Sequence, residues 1–178
     1  MFYKLEPVFN DKTITIDQIS HWDYSLTLGE KQPNDMPEPI EYEVDTDIAS
    51  HYLPTTFLPE PVFSVQFIQE LIACRVNNIQ TYEVSIKNPD TNLYIEGYQA
   101  VNIIGKVPCA NVDVNKYDEL NKGQHTFKKM ALKSFSDPDL LIFRLTQYTQ
   151  LILIHEIIVK QLSAEVCKDL NFERVDEI

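Results

Sequence analysis

Six of the ten prolines fall between residues 33 and 61: Pro33, Pro37, Pro39, Pro54, Pro59 and Pro61. Proline has no backbone N–H to donate and pushes the residue before it away from helical geometry. A regular helix or a central strand is therefore not expected over 29–61, which reads as a long acidic, proline-rich connection with short extended pieces. Charge is concentrated in the same region. Residues 1–60 carry 12 acids and 3 bases, against 15 and 12 in 61–178, so −9 of the net −12 lies in the first third. The densest part holds Glu30, Asp35, Glu38, Glu41, Glu43, Asp45 and Asp47, with only Lys31 opposing. One pattern inside it points elsewhere. Ile40-Glu41-Tyr42-Glu43-Val44-Asp45 alternates apolar and acidic residues, as an edge strand with one charged face would. Loop and edge strand both remain open at this level.

The other segments have clearer periods. Phe2-Tyr3-Lys4-Leu5 and Thr13-Ile14-Thr15-Ile16 suit short strands. Trp22 and Tyr24 are expected to anchor the segment after them. The spacing of Phe67, Ile68, Leu71 and Ile72 predicts a helix from Val65 to about Arg75, with Ser64 as N-cap, a Phe63–Ile68 staple, and Asn77-Asn78 as the exit. Tyr82, Val84 and Ile86 alternate with Thr81, Glu83, Ser85 and Lys87, which predicts a strand with one wet face. The turn chemistry of Asn88-Pro89-Asp90-Thr91-Asn92 and a second strand over 93–104 complete an expected hairpin. Residues 127–135 and 140–145 are further strand candidates. Ile154, Ile158, Leu162, Val166 and Leu170 recur every fourth residue and predict a closing amphipathic helix over 155–170, ended by Asn171. The 178 residues, 44% of them hydrophobic, suffice for a single domain over 1–178 with a sizeable core. The expected fold is α+β: a largely antiparallel sheet packed with two main helices, about 64–75 and 155–170.

Several function classes find no support. Neither G-x-G-x-x-G nor G-x-x-x-x-G-K occurs, and the chain has only four glycines. A strongly acidic chain is repelled by nucleic acid and by anionic membrane, and it favours a basic partner. Cys74, Cys109 and Cys167 are odd in number and widely spaced, which opposes both a disulfide framework and a thiolate zinc site. With no long apolar run near Met1 and none long enough to span a bilayer, a cytoplasmic protein is expected.

Candidate chemistry is thin. His155-Glu156-Ile157-Ile158-Val159 opens like the zinc-protease helix, but Val159 replaces the second histidine, so His155 reads as a helix cap and Glu156 as a complement to the helix dipole. His21, Asp23 and Ser20 or Ser25 are too close in sequence for a nucleophilic triad, whose members meet from separate elements. Cys74 has Arg75 beside it, which favours thiolate, yet a half-buried structural cysteine explains it as well. Arg144 interrupts the apolar run 140–145, either facing solvent or buried with a carboxylate partner. No catalytic residue, metal ligand or cofactor is assigned. The partner-binding candidates are Asp35, Glu38, Glu41, Glu43, Asp45 and Asp47, since carboxylates on a proline-stiffened segment meet a basic groove at little ordering cost.

Three segments together resemble a known family. They are Pro61-Val62-Phe63-Ser64 leading into a helix; Ile142-Phe143-Arg144-Leu145 in a strand, a short gap and the run 151–154; and the closing helix, ending in a turn and the pattern Leu170-Asn171-Phe172-Glu173. They resemble the bacterial polymorphic-toxin immunity proteins of family eleven, over residues 61–75 and 139–174. Asn171 stands where that family commonly has glycine, and His155 where it often has Ser or Asn. The resemblance implies a non-enzymatic cytoplasmic antidote that binds and neutralises a cognate toxin domain. An enzyme with a dispersed site and an acidic adaptor in a phage or secretion assembly are the alternatives. The first third is then expected to divide, with 1–28 structural and 30–47 dispensable for folding but needed for tight binding.

Overall fold

The chain's apolar runs build strands far more often than helices. The computed structural model describes residues 1–8, 14–20, 25–33, 35–36, 39–45, 53–57, 60–109, 131–133 and 139–177. In chain order they form β1 (Phe2–Pro7), β2 (Ile16–Gln18), β3 (Ile40–Val44), β4 (Thr56–Phe57), β5 (Val62–Ser64) and helix α1 (Val65–Ala73). There follow β6 (Ile79–Lys87), β7 (Tyr94–Ile95), β8 (Tyr98–Ile103), β9 (Lys106–Val107) and β10 (Ala131–Leu132). Next come β11 (Ile142–Leu145), β12 (Tyr148–His155), α2 (Glu156–Val159), α3 (Ala164–Cys167) and β13 (Leu170–Glu177).

One sheet runs β10-β13-β1-β12-β11-β9 and the other β2-β3-β6-β8-β5-β4, with β7 also paired to β6. Both sheets are curled part of the way toward a barrel. Of the described residues 46% lie in strands and 13% in helices. This overturns the expected α+β architecture with two main helices: the described residues are mostly β, with three short helices.

The expected helix over 155–170 is where the reading fails. After α2 the chain leaves helical geometry at Ser163, whose backbone is extended (φ −67°, ψ 156°) and whose Oγ accepts from the Val166 N–H to start α3 anew. Glu70 of α1 holds that break: the Ser163 N–H donates to Oε2 at 2.8 Å and the Ser163 hydroxyl to Oε1 at 2.7 Å. From Leu170 the chain becomes β13, pairing antiparallel with β1 from Phe2↔Val175 to Pro7↔Leu170. Antiparallel pairing with β1 gives the peptide groups on that edge of β13 the hydrogen-bond partners that a helix would have supplied internally. The four-residue stripe did mark core positions. Ile154, Ile158, Val166 and Leu170 share one buried cluster, with Leu162 against it, but they sit on strand, helix, turn, helix and strand in turn.

The helix at 65–73 forms as its pattern dictates. The Ser64 side chain accepts from the Phe67 N–H, and Phe67, Ile68 and Leu71 are buried. Ile72, grouped with them by spacing, is instead 56% exposed. The exit is Arg75 at φ +66°, earlier than Asn77-Asn78. The hairpin also forms, with β6 antiparallel to β8 from Ile79↔Ile103 to Glu83↔Gln99 and to β7 at Ile86↔Ile95. Of the strand expected over 127–135, Ala131–Leu132 is β10, and 127–130, 134 and 135 lie outside the described residues. Trp22 and Tyr24 also lie outside them.

The core has three parts. One lies between the sheets, where α1, Leu5, Ile152 and Ile154 meet Phe63, Val101 and Ile103. A second fills the concave face of the β2–β4 sheet around Ile40, Tyr42, Phe57, Val62 and Ile86. The third covers the far face of the other sheet around Phe143, Leu145, Leu153 and Val175.

Candidate functional site

The alternation at 40–45 resolves into neither a loop nor an edge. β3 lies between β2, antiparallel (Ile16↔Val44, Asp17↔Glu43), and β6, parallel (Ile40↔Val84, Glu43↔Lys87). Its prolines flank it and none interrupts it, so every N–H of 40–44 remains available for the ladders. Ile40 and Tyr42 are 1% exposed, and Val44 is buried with them. Burial of Ile40 and of Val44 is worth about 1.5–3 kcal/mol each, so loss of β3 from 30–47 is expected to destabilise the fold. The segment before β3 is fixed as well. Gly29, at φ +70°, accepts from the Gly105 N–H at 2.9 Å, and a Cβ there would lie 2.7 Å from Lys106 Cγ. Lys106 donates to Glu30 Oε1 at 2.6 Å, and Gln32 and Gln80 exchange two hydrogen bonds. Glu30 is therefore a structural tie.

Strand alternation sends Glu41, Glu43 and Asp45 to the opposite face from Ile40, Tyr42 and Val44. The register sets Asp17 of β2 directly opposite Glu43, and Ser85 and Lys87 of β6 beside Glu41 and Glu43, with Glu83 two residues before Ser85 on the same face. Asp17, Glu41, Asp45 and Glu83 are exposed and Glu43 is partly so. Five carboxylates thus share a solvent-facing surface with Lys87, the one cation that the register places among them within the described residues. Among the described residues Asp17, Glu41, Glu43 and Glu83 form no ion pair, while Thr15 Oγ1 donates to Asp45 Oδ2 at 3.5 Å. Like charges directly opposite on adjacent strands repel. Nearby, burial and then the charge of Asp17 push the Glu60 carboxyl above its ordinary range. Burial and then Glu60 push the Tyr42 phenol well above its own, and its buried hydroxyl has no hydrogen-bond partner.

Of the six binding candidates, Glu41, Glu43 and Asp45 come together here. Asp35 is exposed in the segment before β3, and Glu38 and Asp47 lie outside the described residues. Asp17 and Glu83 were missed. Glu83 was legible on the wet side of the β6 alternation; Asp17 needed the β2–β3 register, which no local pattern gives.

The remaining chemical candidates take structural places. His155 is the N-cap of α2, its Nδ1 accepting from the Ile157 N–H at 3.2 Å, and Glu156 pairs with Lys160 at 3.0 Å. Ser20 Oγ accepts from the Glu41 N–H at 3.2 Å and Ser25 Oγ pairs with Thr27 Oγ1 at 2.9 Å, while His21 and Asp23 lie outside the described residues. Burial, and then the charge of Glu70, push the Cys74 thiol up, opposite to what a reactive thiolate needs. Arg144 is buried. Among the described residues no group of three or more His, Cys, Asp or Glu side chains is placed to hold a metal ion, and no helix is long and apolar enough to cross a membrane. No protein-family model and no curated protein matches the chain.

Proposed function

We propose that this is a cytoplasmic, non-enzymatic binding protein that meets a basic protein surface with the exposed face of β2, β3 and β6. The observation that carries the reading is the cluster of Asp17, Glu41, Glu43, Asp45 and Glu83 on one wet sheet face, beside which the register places Lys87. A sheet holds these carboxylates in fixed register, so binding orders little new backbone. Their summed field speeds encounter with a cationic surface and opposes nucleic acid or anionic membrane.

The partner we propose is a toxin domain, neutralised by occlusion of a basic active-site surface. That step rests on the resemblance to immunity family eleven over 61–75 and 139–174. Co-expression with the C-terminal domain encoded by the adjacent gene tests it, scored by growth rescue and co-purification. Rescue with a stable complex is the expected result. A domain that stays toxic and does not co-purify removes the antidote role.

A further inference from the structure

Among the described residues Arg144 heads the largest fully buried side chains, at 1% exposure. The register sets it abreast of Ile152 on β12, which in turn faces Leu5 on β1, so all three point into the space between the sheets. Its guanidinium donates from Nη1 to the Thr149 carbonyl at 2.7 Å and from Nη2 to the Leu26 carbonyl at 3.3 Å. Both acceptors are neutral. Nε is buried and has no partner. Among the described residues no carboxylate oxygen lies within 4.0 Å of the group. Burial lowers its pKa to about 10, which leaves it charged at neutral pH. A buried cation without a counter-ion is costly, and proteins normally supply one.

Beside this cation lies a cavity of about 210 Å³, walled by Arg144, Leu5, Pro7, Pro61, Phe63 and Ile152. It has room for roughly seven water volumes. Its walls are mainly apolar, a poor setting for water alone and a good one for a compact apolar body. Glu6 also lines it. A second negative charge on an occupant would meet that carboxylate, so a dianion such as phosphate is disfavoured. A guanidinium with free N–H donors recognises a carboxylate through charge-assisted bonds. We propose that the cavity beside Arg144 binds a small organic monocarboxylate, its charged end on the Arg144 guanidinium and its short aliphatic or aromatic body against Leu5, Phe63 and Ile152. This site is separate from the acidic sheet face and stands or falls independently of it.

The test uses the full chain with hexanoate and benzoate as probes and hexanamide and benzamide as neutral controls of the same shape. Arginine Nε–H resonances and thermal midpoints are followed during titration. Both carboxylates should shift a buried Nε–H signal saturably and raise the midpoint, with the amides at least about tenfold weaker. Arg144→Met should abolish the carboxylate response. Glu6→Gln should tighten it about threefold by removing a like charge. Spectra unchanged at saturating carboxylate, amides that bind equally, binding retained in Arg144→Met, or binding lost in Glu6→Gln would each overturn the site. Should Arg144→Met fail to fold, the carboxylate-against-amide comparison on the unaltered chain decides the matter alone.

Discussion

In β12 four consecutive residues, Leu151 to Ile154, are buried, whereas in β3 burial alternates residue by residue. The six-stranded sheet is covered on both faces around β12, by the inter-sheet core on one side and by the Phe143–Leu153–Val175 cluster on the other. The seven-stranded sheet is covered on its concave face, and around β2, β3 and the end of β6 its other face meets water. The contrast teaches where each kind of recognition is open to this fold. A strand dry on both sides offers no surface, and any polar group inside it, as with Arg144, calls for a compensating partner. A strand wet on one side carries charge without loss to the core, so its outer residues are free to suit a partner while its inner ones hold the fold.

The harshest way to break that contrast is to replace 31–46 with a short Gly/Ser linker. This removes β3 from between β2 and β6, and cooperative thermal unfolding followed by circular dichroism should disappear. A cooperative transition at the original midpoint would show that β3 is not integral. Single residues sharpen the comparison. Phe143→Ala in the dry sheet should cost about 3–5 kcal/mol, while Glu43→Ala on the wet face should stay within about 0.5 kcal/mol and tend to stabilise, since it relieves repulsion from Asp17. Urea titrations of the two variants measure both. Ser163→Ala removes the α3 cap and a hydrogen-bond donor to Glu70, and should cost about 1–2 kcal/mol in the same assay.

The smallest expected effect is electrostatic and depends on pH. Burial and Asp17 raise the Glu60 pKa in the folded chain. A raised carboxyl pKa means that the folded state holds its proton more tightly, so this contribution is fully present below the unfolded pKa and is lost as pH rises through the folded one. Glu60→Gln should therefore stabilise the protein at neutral pH. The gain should vanish as pH falls below the ordinary carboxylate range. Denaturant midpoints of both proteins across pH 4–8 would reveal any other trend.

Local signals in the sequence carried local elements. Ser64, Phe67, Ile68 and Leu71 specified α1 because cap and stripe lie within one helical stretch. The Tyr82–Val84–Ile86 alternation specified β6 for the same reason. The closing segment misled because a period of four fits several element types once strands and short helices alternate. What separates them is the Glu70–Ser163 contact, 93 residues apart in sequence. β13 was hidden further by Glu173, Arg174, Asp176 and Glu177, which suit a solvated tail until Phe2–Pro7 supplies the pairing partner. The acidic stretch was legible as a binding candidate through charge alone. Its assignment to a sheet face was not, since that requires the pairing of β3 with both β2 and β6, and Asp17 joins the face only through that register.

The most direct test of the acidic-face account compares association of the unaltered chain and a charge-reversed variant (Asp17→Lys, Glu41→Lys, Glu43→Lys and Glu83→Lys) with the C-terminal domain encoded by the adjacent gene, the partner proposed above, by stopped-flow over a range of ionic strengths. All four substitutions lie on the wet face, so the variant should stay folded. The account predicts that reversal slows association by at least about tenfold at low salt, and that the gap narrows as salt screens the field. Equal association rates for the two proteins at every ionic strength would contradict it.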